Sequence, residues 1–132
     1  MEQGVGLCIA WGGDGTVNEV ASALAFSEST LGIVPSGSGN GLARELRIPF
    51  DPDAAFHVAV AGSDRPVDCG ELDGRLFVNV AGMGLDALVA HAFAGLVRRG
   101  FRCYVEVTLR ELFRLVADEY TIVADGTVVW TR

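Results

Sequence analysis

The segment Trp11-Gly12-Gly13-Asp14-Gly15-Thr16-Val17-Asn18-Glu19 constrains this chain more than any other. The apolar residues 6–10 before it read as a buried strand, and residues 20–26 after it read as a helix. A strand, a glycine turn carrying one carboxylate and a helix start form the local pattern by which an α/β protein presents backbone N–H groups to phosphate. Glycine permits the sharp turn and the close approach of a ligand. The N–H groups of a first helical turn have no partner inside the helix, and the helix dipole favours anions there. Thr16 and Glu19 have the T-x-x-E spacing of a capping box, which predicts where this helix begins.

The 132 residues suffice for one modest domain or parts of two, and half of them are hydrophobic, so the chain is expected to fold. A formal net charge of −7 argues against nucleic acid as a partner and against a polybasic anchor on anionic lipid. Contact with a membrane through an apolar surface is compatible with that charge. No apolar run reaches transmembrane length, and the N-terminus lacks a signal-peptide pattern. Cys8, Cys69 and Cys103 have neither zinc-ligand spacing nor an even count, so reduced thiols in the cytoplasm are the simplest expectation.

Strand and helix signals alternate through the first half. Residues 31–34 read as a second buried strand ending at Pro35, and 36–41 as a Ser/Gly loop. A short helix over 42–46 ends before Pro49, and Asp51-Pro52 caps another helix. This is a βαβα pattern, most simply with parallel strands. Residues 61–66 form a polar linker. Beyond it, 67–72 and 75–80 read as strands joined by Asp73-Gly74, and 120–124 and 127–130 flank Asp125-Gly126. Helices are predicted over 85–93 and 101–116, the latter with Tyr104, Thr108, Leu112 and Leu115 beside Val105, Leu109, Phe113 and Val116; Tyr104 and Phe113 are expected in a core. The expected fold is α/β plus β-rich. Residues 1–66 give a partial parallel-sheet nucleotide-binding domain, and 67–132 give the start of an antiparallel β domain with helices. A two-stranded parallel sheet buries both faces poorly, so further parts of the fold are expected from outside this sequence or from another chain.

Two glycine loops in this order resemble the diacylglycerol kinase catalytic-domain family, which includes bacterial lipid kinases and sphingosine kinases and has NAD kinases as distant relatives. The first signature is Gly12-Gly13-Asp14-Gly15-Thr16. The second is P-x-G-[ST]-x-N, here Pro35-Ser36-Gly37-Ser38-Gly39-Asn40 followed by Gly41-Leu42-Ala43-Arg44. Val67-Asp68-Cys69-Gly70 and the stretch Phe77 to Ala87 resemble the entry to the family's β-rich domain. The resemblance implies transfer of the ATP γ-phosphate to a lipid hydroxyl, diacylglycerol or sphingoid-like, at a membrane surface, with Mg²⁺ as cofactor. Such an enzyme is cytoplasmic and associates transiently with the membrane.

On this resemblance Gly12, Gly13, Gly15 and Thr16 supply N–H donors to the ATP phosphates, and Gly37, Ser38, Gly39 and Asn40 close the other side of the nucleotide. Asp14 is the catalytic candidate: it helps take the acceptor proton, or it orients Mg²⁺ or its waters. Glu19 completes the capping box, and Arg44 contacts phosphate or pairs with Glu45. Asp86 either faces the lipid cleft or caps a helix start. Arg98, Arg99 and Arg102 read as a solvated face, or as contacts to lipid headgroups. His57 and His91 lack a metal-ligand partner at helical spacing. Relatives have a further βα segment before the first loop and continue beyond this C-terminus, so the sequence reads as a central fragment. An inactive fragment is one expected outcome, and exposed sheet edges favour homo-oligomers. The alternatives are an NAD kinase-like nucleotide kinase, with no role for Asn40, and a non-catalytic nucleotide-binding or interaction module.

Overall fold

The computed structural model describes residues 4–82, 84–94, 101–114 and 119–131. The chain forms two compact units, Met1–Ala81 and Gly82–Arg132.

In the first unit, β1 (Leu7–Gly12) leads into α1 (Asp14–Leu24) and then β2 (Thr30–Pro35). The two strands pair in parallel with Leu7 opposite Thr30 and Gly12 opposite Pro35, as the βαβ pattern predicts. This register brings the loops that follow the two strands to the same end of the sheet. Adjacent side chains on a strand point to opposite faces. On one face Ala10 and Ile33 pack with Val17 of α1 and with Leu42 and Ala43 of α2 (Gly41–Glu45). On the other, α3 (Pro52–Ala61) covers β2, where Val34 and Ala55 are fully buried. A Cβ on Gly32 would stand 2.8 Å from Cβ of Ala59, so the glycine lets the helix close on the strand. Burial of a side chain such as Val34 contributes about 1.5–3 kcal/mol. Asp51 caps α3 by accepting the Ala54 N–H at 2.9 Å, with Pro52 at the first helical position, as the sequence predicts.

The helix after the first loop differs from expectation. It starts at Asp14 with Gly13 as its N-cap and no side-chain cap bond. Thr16 and Glu19 therefore lie inside the helix, and the capping box does not form. A capping Thr needs an extended backbone, whereas the chain turns helical immediately after β1. The same helix ends at Leu24, and Phe26, expected within it, sits at φ 62° with 93% exposure in the turn that follows.

A hairpin of β3 (Gly70–Leu72) and β4 (Arg75–Phe77) completes the first unit; both strands are shorter than the sequence suggests. Asp73 and Gly74 both have positive φ, 50° and 74°, which is the type I′ turn that Asp-Gly favours. The division at 66/67 read from composition and the division of the compact units differ by this hairpin, which is tied to α1.

The second unit contains α4 (Leu85–Ala94), α5 (Phe101–Arg114) and the antiparallel hairpin β5 (Thr121–Ala124) and β6 (Thr127–Thr131), with a bulge between Ile122 and Val123. Asp125 and Gly126 repeat the type I′ turn. The two helices pack against each other, with Val89 and Val107 buried. This corrects the expected core face of α5: Val105, Leu109 and Leu112 are exposed, and Phe113 is 88% exposed. The face that meets α4 is centred on Val107 instead. Met83, Arg98, Arg99, Leu115 and Val116 lie outside the described residues, as do the side chains of Asp86 and Tyr104.

Candidate functional site

Parallel pairing of Gly12 with Pro35 sets the two glycine loops side by side, and the Ser36 N–H donates to the Gly12 carbonyl at 2.9 Å. The loops then touch through bare backbone. A Cβ on Gly37 would lie 2.5 Å from Cα of Gly13, and one on Gly13 would lie 3.0 Å from Cα of Gly37. A Cβ on Gly12 would fall 2.6–2.8 Å from the Thr16 side chain, and one on Gly39 would fall 2.7 Å from Oδ2 of Asp14. These glycines are required by contacts within the protein. Gly15 differs, because a Cβ there would meet nothing within 4 Å. Its bare backbone opens outward at the first turn of α1, as the approach of a ligand requires.

Asp14 joins the loops. Its Oδ2 accepts the Asn40 N–H at 2.8 Å and its Oδ1 accepts the Gly41 N–H at 2.6 Å. Asn40 is 94% buried and left-handed, at φ 54° and ψ 46°, a conformation that asparagine tolerates better than most residues. Its amide closes the second loop on itself: Nδ2–H donates to the Gly37 carbonyl at 2.7 Å, and Oδ1 accepts the Gly37 N–H at 2.9 Å. Arg44 supports the loop from outside. Its Nε–H donates to the Gly39 carbonyl at 2.9 Å and its guanidinium stacks on Phe50, 4.6 Å from the ring centre. Arg44 thus braces the loop rather than pairing with Glu45.

These bonds decide which donors face outward. The N–H groups of Gly37, Asn40 and Gly41 are already engaged. In α1 the first helical bond runs from the Val17 N–H to the Gly13 carbonyl at 3.0 Å. The N–H groups of Asp14, Gly15 and Thr16 thus have no acceptor within the helix. Among the described residues those of Ser38 and Gly39 have none either. The two loops therefore offer two sets of backbone donors flanking one carboxylate, a pattern suited to a phosphate-bearing ligand.

Two asparagines not foreseen from the sequence belong to the same neighbourhood. Asn18 lies one turn after Asp14 on the same face of α1. Its Nδ2–H donates to the Leu76 carbonyl at 3.1 Å, and its Oδ1 accepts the Val78 N–H at 3.1 Å, which fixes the first hairpin to α1. Asn79 follows Val78, and its Nδ2 lies 2.5 Å from the position a Gly41 Cβ would take. The i, i+4 spacing from Asp14 was the available signal for Asn18; nothing in the sequence pairs Asn79 with Gly41. Of the remaining candidates, Asp86 is in the first turn of α4, after Gly84, whose carbonyl accepts the Leu88 N–H. It is therefore not the cap residue. His57 and His91 are exposed, and the described residues contain no cluster of three or more potential metal ligands.

Residues 1–72 match the family model described as the diacylglycerol kinase catalytic domain. The chain is 43% identical over 91 residues to a probable YegS-like lipid kinase of Pseudomonas aeruginosa, covering 67% of this chain and 30% of that protein. It is 46% identical over 81 residues to a diacylglycerol kinase of Bacillus subtilis, covering 59% of this chain and 27% of that protein. Among solved structures it resembles a diacylglycerol kinase from Bacillus anthracis, with a TM-score of 0.63 and 29% sequence identity over 96% of this chain and 42% of that one. The chain spans less than a third of the two curated relatives.

Proposed function

The chain belongs to the diacylglycerol kinase catalytic-domain family, and from that premise we propose that it carries the nucleotide-binding loops of an ATP- and Mg²⁺-dependent lipid kinase. The reaction is transfer of the γ-phosphate to a hydroxyl of diacylglycerol or a sphingoid-like lipid. The observation behind this proposal is the junction of the two loops through Asp14, with Gly15 open to solvent and unpaired N–H groups on either side.

Phosphoryl transfer depends mainly on positioning and on neutralising charge. The backbone donors of Asp14, Gly15 and Thr16 hold phosphate oxygens from one side, and those of Ser38 and Gly39 hold them from the other. Gly12, Gly37 and Asn40 act indirectly, by letting the loops meet and by closing the second one, while the Gly13 N–H, with no acceptor among the described residues, adds to the first set of donors. Asp14 keeps the loops in register through two N–H bonds. Its remaining lone pairs suit either role proposed for it, accepting the proton of the acceptor hydroxyl or orienting Mg²⁺ together with phosphate oxygens and water. Mg²⁺, when bound, supplies charge neutralisation at the transferring phosphoryl group. No helix among the described residues is long and apolar enough to cross a membrane, so the lipid is reached from the membrane surface in this proposal.

The test is transfer of labelled γ-phosphate from Mg·ATP into a mixed lipid extract, with NAD as a competing acceptor, run beside a folded Asp14→Asn variant. Label in an organic-phase product that disappears in the variant supports the proposal. Label in NAD replaces it with a nucleotide kinase. No transfer from a folded chain that binds nucleotide leaves a binding module.

A further inference from the structure

The asparagine pair extends the site beyond the glycine loops. Asn18 grips the backbone on both sides of Phe77 with its two amide atoms, at 3.1 Å each, so the chain that leaves β4 departs in one fixed direction. That direction brings Asn79 over the junction of the two loops. The position a Gly41 Cβ would occupy lies 2.5 Å from Nδ2 of Asn79 and 3.6 Å from Oδ1 of Asp14, so amide and carboxylate flank one point. Asn79 is exposed, and among the described residues its amide has no hydrogen-bond partner. An unpaired amide with two N–H donors, flanking the same point as the exposed Asp14 carboxylate, can donate to a phosphate oxygen without giving up any bond of its own.

We propose that Asn79 is a ligand-binding residue whose side-chain amide donates to the phosphate end of the nucleotide, and that Asn18 is the positioning residue that holds it there. This rests on the nucleotide reading above. It also explains the glycine at position 41. Gly41 has no positive φ, so an alanine meets no backbone strain there. Its methyl group would instead displace the Asn79 amide, the movable end of a side chain.

The experiment is calorimetric titration of the chain with Mg·ADP, and with adenosine as a probe that lacks phosphate, for Asn79→Ala, Gly41→Ala and the double variant. Loss of one hydrogen bond to a charged group weakens Mg·ADP about tenfold in each single variant. The double variant is no weaker than either single one, because the Gly41→Ala methyl acts by moving the same amide, and adenosine binds equally throughout. Asn79→Gln recovers part of the loss. Asn79→Asp binds Mg·ADP more weakly than Asn79→Ala, by a margin that shrinks with added salt. Asn18→Ala weakens Mg·ADP without altering adenosine. Unchanged thermal melting of Asn79→Ala establishes that the fold is intact.

Normal Mg·ADP affinity in Asn79→Ala overturns the inference, as do independent losses that multiply in the double variant, or an equal loss for adenosine. An unaltered chain that fails to bind Mg·ADP overturns the nucleotide reading and this inference with it. An unaltered chain that binds, with Asn79 variants that bind equally, overturns this inference alone.

Discussion

Replacing Asn40 by Ala is expected to be among the most damaging single changes in the glycine loops. The side chain is 94% buried and makes both a donor and an acceptor bond to Gly37, at 2.7 and 2.9 Å. Each bond contributes about 1 kcal/mol net, and the left-handed backbone at φ 54° costs an alanine about 1–2 kcal/mol more, so the loss is about 3–4 kcal/mol. Asn40→Gly loses the same bonds without the steric cost and is expected to be about 1 kcal/mol less damaging. Both variants keep the backbone N–H that Asp14 accepts. The assay is urea unfolding followed by fluorescence of Trp11, in a Trp130→Phe background that leaves one tryptophan, with circular dichroism as a second probe of two-state behaviour. At a slope of about 2 kcal/mol per molar urea, the midpoint of Asn40→Ala falls by about 1.5–2 M. Equal midpoints for the Ala and Gly variants would refute the role of backbone strain. A loss under about 1 kcal/mol in both would refute the amide clamp itself.

Gly15 and Gly37 are expected to separate ligand approach from packing. Gly15→Ala meets open space, so it leaves stability unchanged or raises it by up to about 1 kcal/mol while weakening Mg·ADP; an unaffected titration would remove Gly15 from the ligand surface. Gly37→Ala forces a Cβ against the Gly13 backbone and costs about 1–3 kcal/mol, read from the same urea midpoint. Asp14→Asn places an NH₂ group against either the Asn40 or the Gly41 N–H; a stability loss of about 1–3 kcal/mol is expected, together with loss of the phosphate transfer proposed above, and a melt identical to the unaltered chain would contradict its bridging bonds. Asn18→Ala frees β4 from α1, so amide hydrogen exchange accelerates at Val78, which loses its acceptor, and stays slow in β1 and β2.

What was legible in the sequence depended on neighbours along the chain. Asp51-Pro52 starts α3, and the Asp-Gly pairs at 73–74 and 125–126 make type I′ turns, because each depends on backbone dihedrals and bonds within a few residues. The parallel pair β1–β2 followed from apolar runs joined by a helix, and that pairing already required the two glycine loops to lie together. The T-x-x-E pattern at Thr16 also obeys a local rule, yet it failed. The helix starts at Asp14, and that carboxylate is spent on a loop 26 and 27 residues away instead of on its own helix end. The apolar stripe of α5 was visible as periodicity, but which face is buried depends on the surface that α4 presents.

By itself, then, the sequence determined the family, the alternation of elements and the turns, since each of these is written in short-range conformational preference or in a contiguous motif. Only the tertiary structure decided how the glycines divide their work. Gly13 and Gly37 admit each other, Gly39 admits Asp14, and Gly15 alone in the first loop admits open space. It also decided that Asn18 holds a hairpin and that Asn79 stands over Gly41. Those contacts join residues tens of positions apart, and which atoms meet there is set by how helix and strand pack, which residue spacing along the chain does not encode.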